Sequence, residues 1–216
     1  MAAFPLDPAL ARCLLSSIDL NCSEEMISIV ALLSVESITY TPSDKREKAR
    51  KSFQKFVSSE GDHITLLKFY RAYKQAKGNM DWCREHFVNL RAIKTVQRIQ
   101  NQLREMFTRM NLKLSSCAGS KDFTPVRKAL ALGMFMNSAE RQRDGSYTTI
   151  SSKESVHIHP SSSLFRSQPS CVIYNESVQT SKRYIRNVCI VDPLWLIDAC
   201  PEYFKNHISV PQAVSS

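Results

Sequence analysis

A long amphipathic segment, Asn89 to Met110, constrains the fold of this chain more than any other; it reads NLRAIKTVQRIQNQLREMFTRM. At about 100° per residue, its apolar side chains fall in one arc of a helix and its basic side chains in a second, narrow arc well away from the first. The pattern predicts a helix of roughly 33 Å with one face packed in a core and one cationic face. The apolar set is Val96, Ile99, Leu103, Met106, Phe107 and Met110, and the basic set is Arg91, Lys94, Arg98 and Arg109.

Three further segments of the first half follow a helical pattern. Ser23 and the two glutamates after it are typical of a helix start, and the apolar run MISIVALLSV that follows predicts a buried helix. The stretch TPSD at 41–44 leads into KREKARKSFQKFVSS, whose dense basic face we interpret as solvated surface rather than as a binding site. Asp62 begins HITLLKFYRAYKQAKG, which Gly78 ends. The first half is therefore predicted to be a helical bundle.

The periodicity changes after the small, polar stretch SSCAGSK around Cys117. A helix from Phe123 to about Met136 is followed by five short segments of strand character, AERQR, SYTTI, VHIH, CVIYNESVQ and RYIRNVCIV. Asp144-Gly145 between the first two predicts a hairpin, and Pro193 begins a short helix over PLWLIDA. One helix and about five short strands suit a small barrel, for which the OB-fold is the nearest common candidate.

The predicted fold class is therefore α+β, an N-terminal helical bundle followed by a small OB-fold β-barrel. We predict a helical domain over residues 1–118, a barrel domain over 119–205 and a flexible tail over 206–216.

The composition narrows the classes of function. The 29 basic and 20 acidic residues give a net charge of +9, which favours polyanionic partners, nucleic acid above all. The seven cysteines include no C-x-x-C pair, which indicates a reducing compartment rather than a disulfide framework or a zinc ribbon. The longest strongly apolar run, at 26–35, is about half of the ~20 residues that a bilayer span needs, so neither a membrane anchor nor a signal peptide is predicted.

Common catalytic and nucleotide-binding motifs are missing from the sequence. The five glycines form neither G-x-x-x-x-G-K-[ST] nor G-x-G-x-x-G, so nucleotide hydrolysis by this chain alone is not expected. Neither G-x-S-x-G nor H-E-x-x-H occurs. We interpret Cys83 and His86 as packing partners of Trp82 and Phe87 rather than as a catalytic dyad. No catalytic residue and no cofactor of its own are predicted for the chain.

The stretch VHIHPSSSLF at 156–165 raises the question of a metal site, because His157 and His159 would share one face of a strand. A first-row metal needs further ligands, and the other histidines stand in no recognisable ligand spacing with a carboxylate or thiol. We therefore predict no metal, and a metallohydrolase is the least favoured hypothesis. Ser161 and Ser162 are interpreted as capping a turn rather than binding phosphate. The other histidines are His63, His86 and His207.

A second cationic stretch, TSKRYIR at 180–186, surrounds Tyr184 with Lys182, Arg183 and Arg186 on a predicted barrel strand. Proteins that bind single-stranded nucleic acid use this mixture of positive charge and stacking surface. The alternative is a solvated strand pair with Tyr184 in the core.

Seven strings, taken in order, resemble the C-terminal region of the DEAH-box RNA helicases: FPLDP, EGDHITLLKFY, DWCREHFVNLRAI, IQNQL, IHPSSSL, TSKRYIR and VDPLWLIDACPEYF. They extend over residues 4–205. The resemblance implies a helical ratchet (helicase-associated) domain followed by an OB-fold domain, which together close over single-stranded RNA held by two RecA-like motor domains. In the family the motor domains use ATP and Mg²⁺. They have no counterpart here, so the chain resembles a truncated product and is predicted to be enzymatically inactive alone.

The resemblance also implies site residues. Asn89 and Arg91 match the ratchet motif that approaches RNA, and the TSKRYIR stretch matches the family's T-T-K-x-Y-M-R strand. One position departs from the family, because Gln100 stands where Arg usually follows the Ile of I-R-x-Q-L; Arg98 is close enough to substitute for it in a phosphate contact. The predicted RNA-binding set is Asn89, Arg91, Lys94, Arg98, Lys182, Tyr184 and Arg186.

The leading hypothesis is an RNA-binding auxiliary module of a DEAH-box helicase, which binds phosphates through cationic side chains and without sequence preference. Its expected partners are single-stranded RNA and helicase cofactor proteins, with no membrane, in the nucleus or nucleolus. The alternative hypothesis is a protein-interaction module that docks partners through the OB-fold without RNA binding of its own. Salt discriminates them, because a protein interface should survive high salt far better than an RNA complex.

Overall fold

The computed structural model describes residues 6–204, so the predicted tail at 206–216 lies outside the described residues. Helices fill the first half and strands follow in the second, which confirms the predicted α+β class. The helices of the first half are α1 (Pro8–Asp19), α2 (Ser23–Leu33), a 3-10 turn (Ser43–Lys45), α3 (Arg46–Gln54), α4 (Asp62–Gln75), α5 (Met80–Glu85) and α6 (Leu90–Arg109). The second half holds α7 (Thr124–Met134), β1 (Ser138–Arg141), β2 (Tyr147–Thr149), β3 (Ser155–Ile158), β4 (Cys171–Gln179), β5 (Arg183–Ile190), α8 (Pro193–Ala199) and α9 (Pro201–Phe204).

The long helix α6 follows its sequence pattern over most of its length. Its apolar face is buried and packs against α2, which is itself buried on nearly all sides. Two residues of the predicted apolar arc differ: Met106 is 41% exposed and Met110 is 57% exposed. Both lie in the last turns of the helix, where the side chains reach beyond the packed part of the core. The buried side chains of α6 are Ile93, Val96, Ile99, Gln100, Leu103 and Phe107.

The five strands close into a barrel in the order β1-β2-β3-β5-β4. All neighbouring pairs are antiparallel except β3 and β5, which run parallel. The register places His157 opposite Tyr184 and Glu176 opposite Arg186. A small apolar cluster of Ala139, Tyr147, Val156, Ile158, Leu164, Val172, Tyr174, Ile185 and Val188 fills the barrel.

The larger core of the molecule extends from the helical half into the barrel half. It joins residues of α1, α2, α4 and α6 to residues of α7 and to one side of the barrel, such as Ile173. Helix α7 packs on α1 so closely that a Cβ at Gly133 would lie 2.2 Å from the Sγ of Cys13. Helix α7 lies after the predicted domain boundary at 118–119 but packs on α1, which lies before that boundary. The boundary itself stays a prediction. No helix in the part of the chain that the structure describes is both long and apolar enough to cross a membrane.

The carboxylate of Asp62, at the start of α4, attaches the barrel to the helical half. Its Oδ1 accepts hydrogen bonds from the backbone N–H (2.7 Å) and the hydroxyl (2.8 Å) of Ser163. Its Oδ2 accepts from the hydroxyl of Ser162 (2.7 Å) and from the backbone N–H of Val188 (2.8 Å). Gly61 before it has φ +130°, and a Cβ there would lie 2.4 Å from the carbonyl oxygen of Val188. Only glycine allows this close approach of α4 to β5.

Candidate nucleic-acid interface

The exposed face of α6 carries three cations. Arg91, Lys94 and Arg98 lie within about 60° of one another around the helix axis, opposite the buried face. All three are exposed, and none forms an ion pair with a side chain in residues 6–204. Arg109, further along the helix, is paired with Glu105 at 3.2 Å. The charge available to a ligand is therefore concentrated in the first half of α6.

Asn89 fixes the start of α6. Its Oδ1 accepts a hydrogen bond from the backbone N–H of Ala92 (3.1 Å), which caps the helix, and its Nδ2 donates to the carbonyl oxygen of Ser37 (3.3 Å). Its own backbone N–H donates to the carbonyl oxygen of Ile38 (2.8 Å). Asn89 thus has a structural role, and its predicted contact with RNA stays a prediction.

The cations on β5 have nearer neighbours. Lys182 is exposed before the strand, whereas Arg183 pairs with Glu154. An oxygen of Glu176 lies 3.9 Å from the guanidinium of Arg186, and both side chains are 48% exposed. Residues two apart on a strand share a face, so the ring of Tyr184 and Arg186 are available on one side of the barrel.

Tyr184 lies on the surface of the barrel, partly exposed, and is not part of the barrel core. Its ring centroid is 5.6 Å from that of His159, edge to face, and 6.1 Å from that of His157. The Nδ1 of His159 lies 2.7 Å from the hydroxyl of Ser161. The two histidines therefore do share a face, but beside an aromatic ring. Within residues 6–204, no group of three histidine, cysteine, aspartate or glutamate side chains is placed to hold a metal ion.

A cleft of about 270 Å³ lies between Arg186 and the segment 37–39 that precedes α3. The segment 37–39 forms one wall, and its backbone holds Asn89 and pairs with Val88. Ser161, Glu176 and Arg186 line the cleft from the barrel side. The cleft thus holds Arg186 of the β5 set, whereas the start of α6 is attached to its wall through Asn89 and the α6 cations are not among the residues that line it.

Gln100 is buried and does not face this surface. Its Oε1 accepts a hydrogen bond from the hydroxyl of Tyr70 (2.8 Å), and its Nε2 donates to the hydroxyl of Ser28 (2.9 Å). Burial raises the pKa of Tyr70 to about 12, so the hydroxyl stays protonated and can donate. The side chain that departs from the family pattern is a buried connection between α2, α4 and α6, whereas Arg98 is exposed on the cationic face.

Two interpretations made from the sequence agree with the contacts observed. Ser162 accepts a hydrogen bond from the backbone N–H of Leu164 (3.2 Å), as a turn cap does, and its hydroxyl also donates to Asp62. The ring of His86 stacks on Trp82 at 4.1 Å between centroids, and burial raises the pKa of the Cys83 thiol, as expected of packing residues and not of a nucleophile.

The sequence did not indicate the residues that continue the cleft. Two grooves adjoin this cleft. Arg50 and Phe53 of α3 line both grooves, Arg46 lines the first and Arg166 lines the second. The basic segment KREKARKSFQK contains two of these residues, Arg46 and Arg50, but its charge pattern is equally typical of solvated surface.

Comparison with known proteins agrees with both halves of the fold. Residues 7–66 match the family model described as the helicase associated domain (HA2), ratchet-like. Residues 126–203 match the model described as the oligonucleotide/oligosaccharide-binding (OB)-fold. The predicted OB-fold is confirmed. The chain thus consists of a ratchet-like helicase-associated region followed by an OB-fold.

Relatives identify the helicase family. Over 208 residues the chain is 45% identical to ATP-dependent RNA helicase DHX33 of Homo sapiens, covering 96% of this chain and 29% of the relative. It is 44% identical to pre-mRNA-splicing factor ATP-dependent RNA helicase DEAH10 of Arabidopsis thaliana, covering 95% of this chain and 30% of that protein. It is 37% identical to pre-mRNA-splicing factor ATP-dependent RNA helicase prp22 of Schizosaccharomyces pombe, covering 95% of this chain and 18% of that protein. The chain corresponds to the C-terminal helicase-associated and OB-fold region of DEAH-box RNA helicases. It spans less than a third of the length of these relatives.

Proposed function

We propose that this chain binds single-stranded RNA, as the C-terminal auxiliary module does in a DEAH-box helicase. The observation that carries the proposal is the cationic face of α6, where Arg91, Lys94 and Arg98 are exposed without ion pairs among the described residues, opposite a buried face. Lysine and arginine side chains that lack a carboxylate partner are free to bind phosphates.

The mechanism is electrostatic and tolerant of sequence. Each phosphate that a cation neutralises on a single strand releases counterions, which contributes about −0.7 to the slope of log affinity against log salt. Three cations on α6 thus contribute a slope of about −2. The partly exposed ring of Tyr184 supplies a surface on which a base can stack; Arg186 lies on the same side of the strand, and Lys182 is exposed just before it.

In a complete helicase this module would help to hold the strand while the motor domains supply directional movement. The names of the relatives include ATP dependence and, for two of them, pre-mRNA splicing. We extend these properties to this chain as proposals: a role inside the cell, in the nucleus or nucleolus, beside helicase cofactor proteins. ATP and Mg²⁺ would belong to the motor domains, because the sequence here encodes no phosphate-binding loop.

Binding of the purified chain to a fluorescent single-stranded RNA of mixed sequence, measured at several salt concentrations, tests the proposal. We expect affinity to fall steeply with salt. The triple variant Arg91→Glu, Lys94→Glu, Arg98→Glu should bind about a hundredfold more weakly near 0.1 M salt, with a salt slope shallower by about 2, because three phosphate contacts are lost.

The matched control reverses three exposed lysines away from the cleft, Lys77, Lys113 and Lys121, and so changes the net charge equally. It should retain most of the affinity. Equal losses in the two triple variants would mean that net charge alone attracts RNA. Undetectable binding by the folded wild-type chain would overturn the proposal.

A further inference from the structure

Helix α3 presents its basic residues on two different sides. Its buried residues are Ala49 and Ser52, and Phe53 is half-buried beside them. At about 100° per residue, Arg46 and Arg50 lie next to Phe53 at one edge of the buried face, and Lys48 and Lys51 lie roughly 100–160° away from them. The arginines line two grooves of the molecule, whereas neither lysine is among the residues that line them.

The arginine side of α3 forms the wall of a trough, made of the two grooves that meet at Arg50 and Phe53 and at the barrel loop 160–161. Tyr40 and Phe87 line the first groove, and Phe165 lines the second. The trough also shares Thr39, Phe53 and Ser161 with the cleft beside Arg186. One continuous depression thus leads from Arg186 past the barrel loop to α3.

The charges of the trough are predominantly positive. Arg46 and Arg166 are exposed and form no ion pair within residues 6–204. Arg50 is 3.3 Å from Glu47, but both side chains are at least 70% exposed, so the pair is weak and can exchange for a ligand. The other acidic residue, Asp62, has its carboxylate occupied by four internal hydrogen bonds. A polyanion therefore meets three available guanidinium groups.

Exposed aromatic rings stand beside these arginines. Tyr40 is 48% exposed and is oriented by an edge-to-face contact with Phe87, with ring centroids 5.7 Å apart. Phe165 is 43% exposed and lies next to Arg166. A cationic path with exposed rings is the arrangement on which successive bases of a single strand stack while phosphates meet arginine.

We propose that the trough between α3 and the barrel loop is a second RNA-binding segment, which takes the nucleotides that follow those held at α6 and Arg186. The inference rests on the proposed RNA binding and extends it to a stretch of surface outside the α6 and β5 sets. RNA is favoured over an acidic peptide because the trough continues the cleft that holds Arg186, and because two exposed rings, those of Tyr40 and Phe165, stand beside its arginines.

The test compares RNA lengths. Two fluorescent single-stranded RNAs, of about 6 and about 16 nucleotides, are titrated against the full chain over a range of salt. The wild-type chain should bind the long RNA more tightly than the short one. The double variant Arg46→Gln, Arg50→Gln should bind the long RNA about tenfold more weakly, with a salt slope shallower by about 1.4, and should bind the short RNA as wild type does.

The matched control is Lys48→Gln, Lys51→Gln, which removes the same charge from the other side of the same helix and should leave the affinity for both RNAs nearly unchanged. A second variant, Phe165→Leu, keeps every charge and should weaken binding of the long RNA about fivefold through lost stacking.

Equal affinities of the arginine and lysine double variants for the long RNA would overturn the inference and leave the proposed function intact; an acidic peptide as the natural occupant would give this result. A long RNA that binds wild type no better than the short one would do the same. Failure of the wild-type chain to bind either RNA would remove the proposed function and, with it, this inference.

Discussion

The cations in the first half of α6 and the cations of β5 differ in their surroundings. Arg91, Lys94 and Arg98 have no carboxylate partner among the described residues, whereas Arg183 and Arg186 on β5 face Glu154 and Glu176. A phosphate that meets α6 gains an unopposed attraction, and one that meets Arg186 must compete with a carboxylate. If the chain binds RNA as we propose, we expect α6 to supply most of the electrostatic affinity and β5 mainly the ring of Tyr184.

The two surfaces also differ in what holds them in place. Helix α6 is fixed by a buried face against the large core of the helical half. Strand β5 is attached to α4 through the junction at Asp62, which binds the barrel loop and Val188 of β5. The relative position of the two cationic surfaces therefore depends on the shared core and on this carboxylate.

The largest effect is expected at that junction. Asp62→Ala removes the carboxylate that accepts four hydrogen bonds. The backbone N–H groups of Ser163 and Val188 then lose the acceptor to which they donate. We expect the free energy of unfolding to fall by about 3 kcal/mol, because hydrogen bonds to a charged group are strong and orphaned donors are costly. Urea unfolding followed by circular dichroism measures the change.

Asp81→Ala is the matched control, since Asp81 also lies in the first turn of a helix but is exposed. It should cost less than about 1 kcal/mol. Similar losses for the two variants would show that Asp62 acts only on the start of α4, and the two cationic surfaces would then not depend on the junction.

A smaller effect is expected from pH at the residue next to Asp62. His63 is completely buried, and neither ring nitrogen has a hydrogen-bond partner in the described part of the chain. Desolvation lowers its pKa from 6.5 to about 4, although the charge of Asp62 opposes the shift. The folded chain therefore binds fewer protons than the unfolded chain between these values, so the stabilising contribution is complete above pH 6.5 and is lost as the pH falls towards 4.

At pH 5 this linkage should cost ~2 kcal/mol of unfolding free energy relative to pH 7. His63→Phe should show a much flatter dependence of the unfolding free energy over this range, whereas Gln75→Ala, an exposed change on the same helix, should retain the wild-type dependence. Parallel pH profiles for wild type and His63→Phe would contradict the prediction that His63 is neutral in the folded chain.

Much of the fold could be predicted from local patterns. The 3.6-residue period of α6 located both its buried face and its cations, and the Asp-Gly pair between β1 and β2 marked their connection. Helix α1 was missed, although its start carries a clear signal: Asp7 caps the helix and Pro8 occupies its first turn. Its apolar face is short, and the buried side chains lie against α7, which is distant in the sequence.

The site was less predictable because it depends on contacts between distant residues. Asp62 and Ser162 are 100 positions apart, and nothing local to either stretch pairs them. The same holds for Gln100 and Ser28, whose contact buries an amide that the helical pattern alone leaves on the edge of the apolar face. The basic face of α3 was recognised, but only the fold distinguishes Arg46 and Arg50, which line a groove, from Lys48 and Lys51, which do not.

The smallest effect sharpens the comparison between the two cationic surfaces. Glu176→Gln removes the carboxylate 3.9 Å from Arg186 and should increase affinity for single-stranded RNA about twofold, since an exposed pair of this kind is weak. Glu105→Gln, which frees Arg109 at the far end of α6, is the matched control and should change affinity less. The gain should also disappear in an Arg186→Gln background, because no guanidinium is then left to release. A gain of equal size in that background would show that Glu176 acts through net charge and not by holding Arg186. The β5 surface would then differ from the α6 surface in the number of its carboxylates and not in the pairing of its cations.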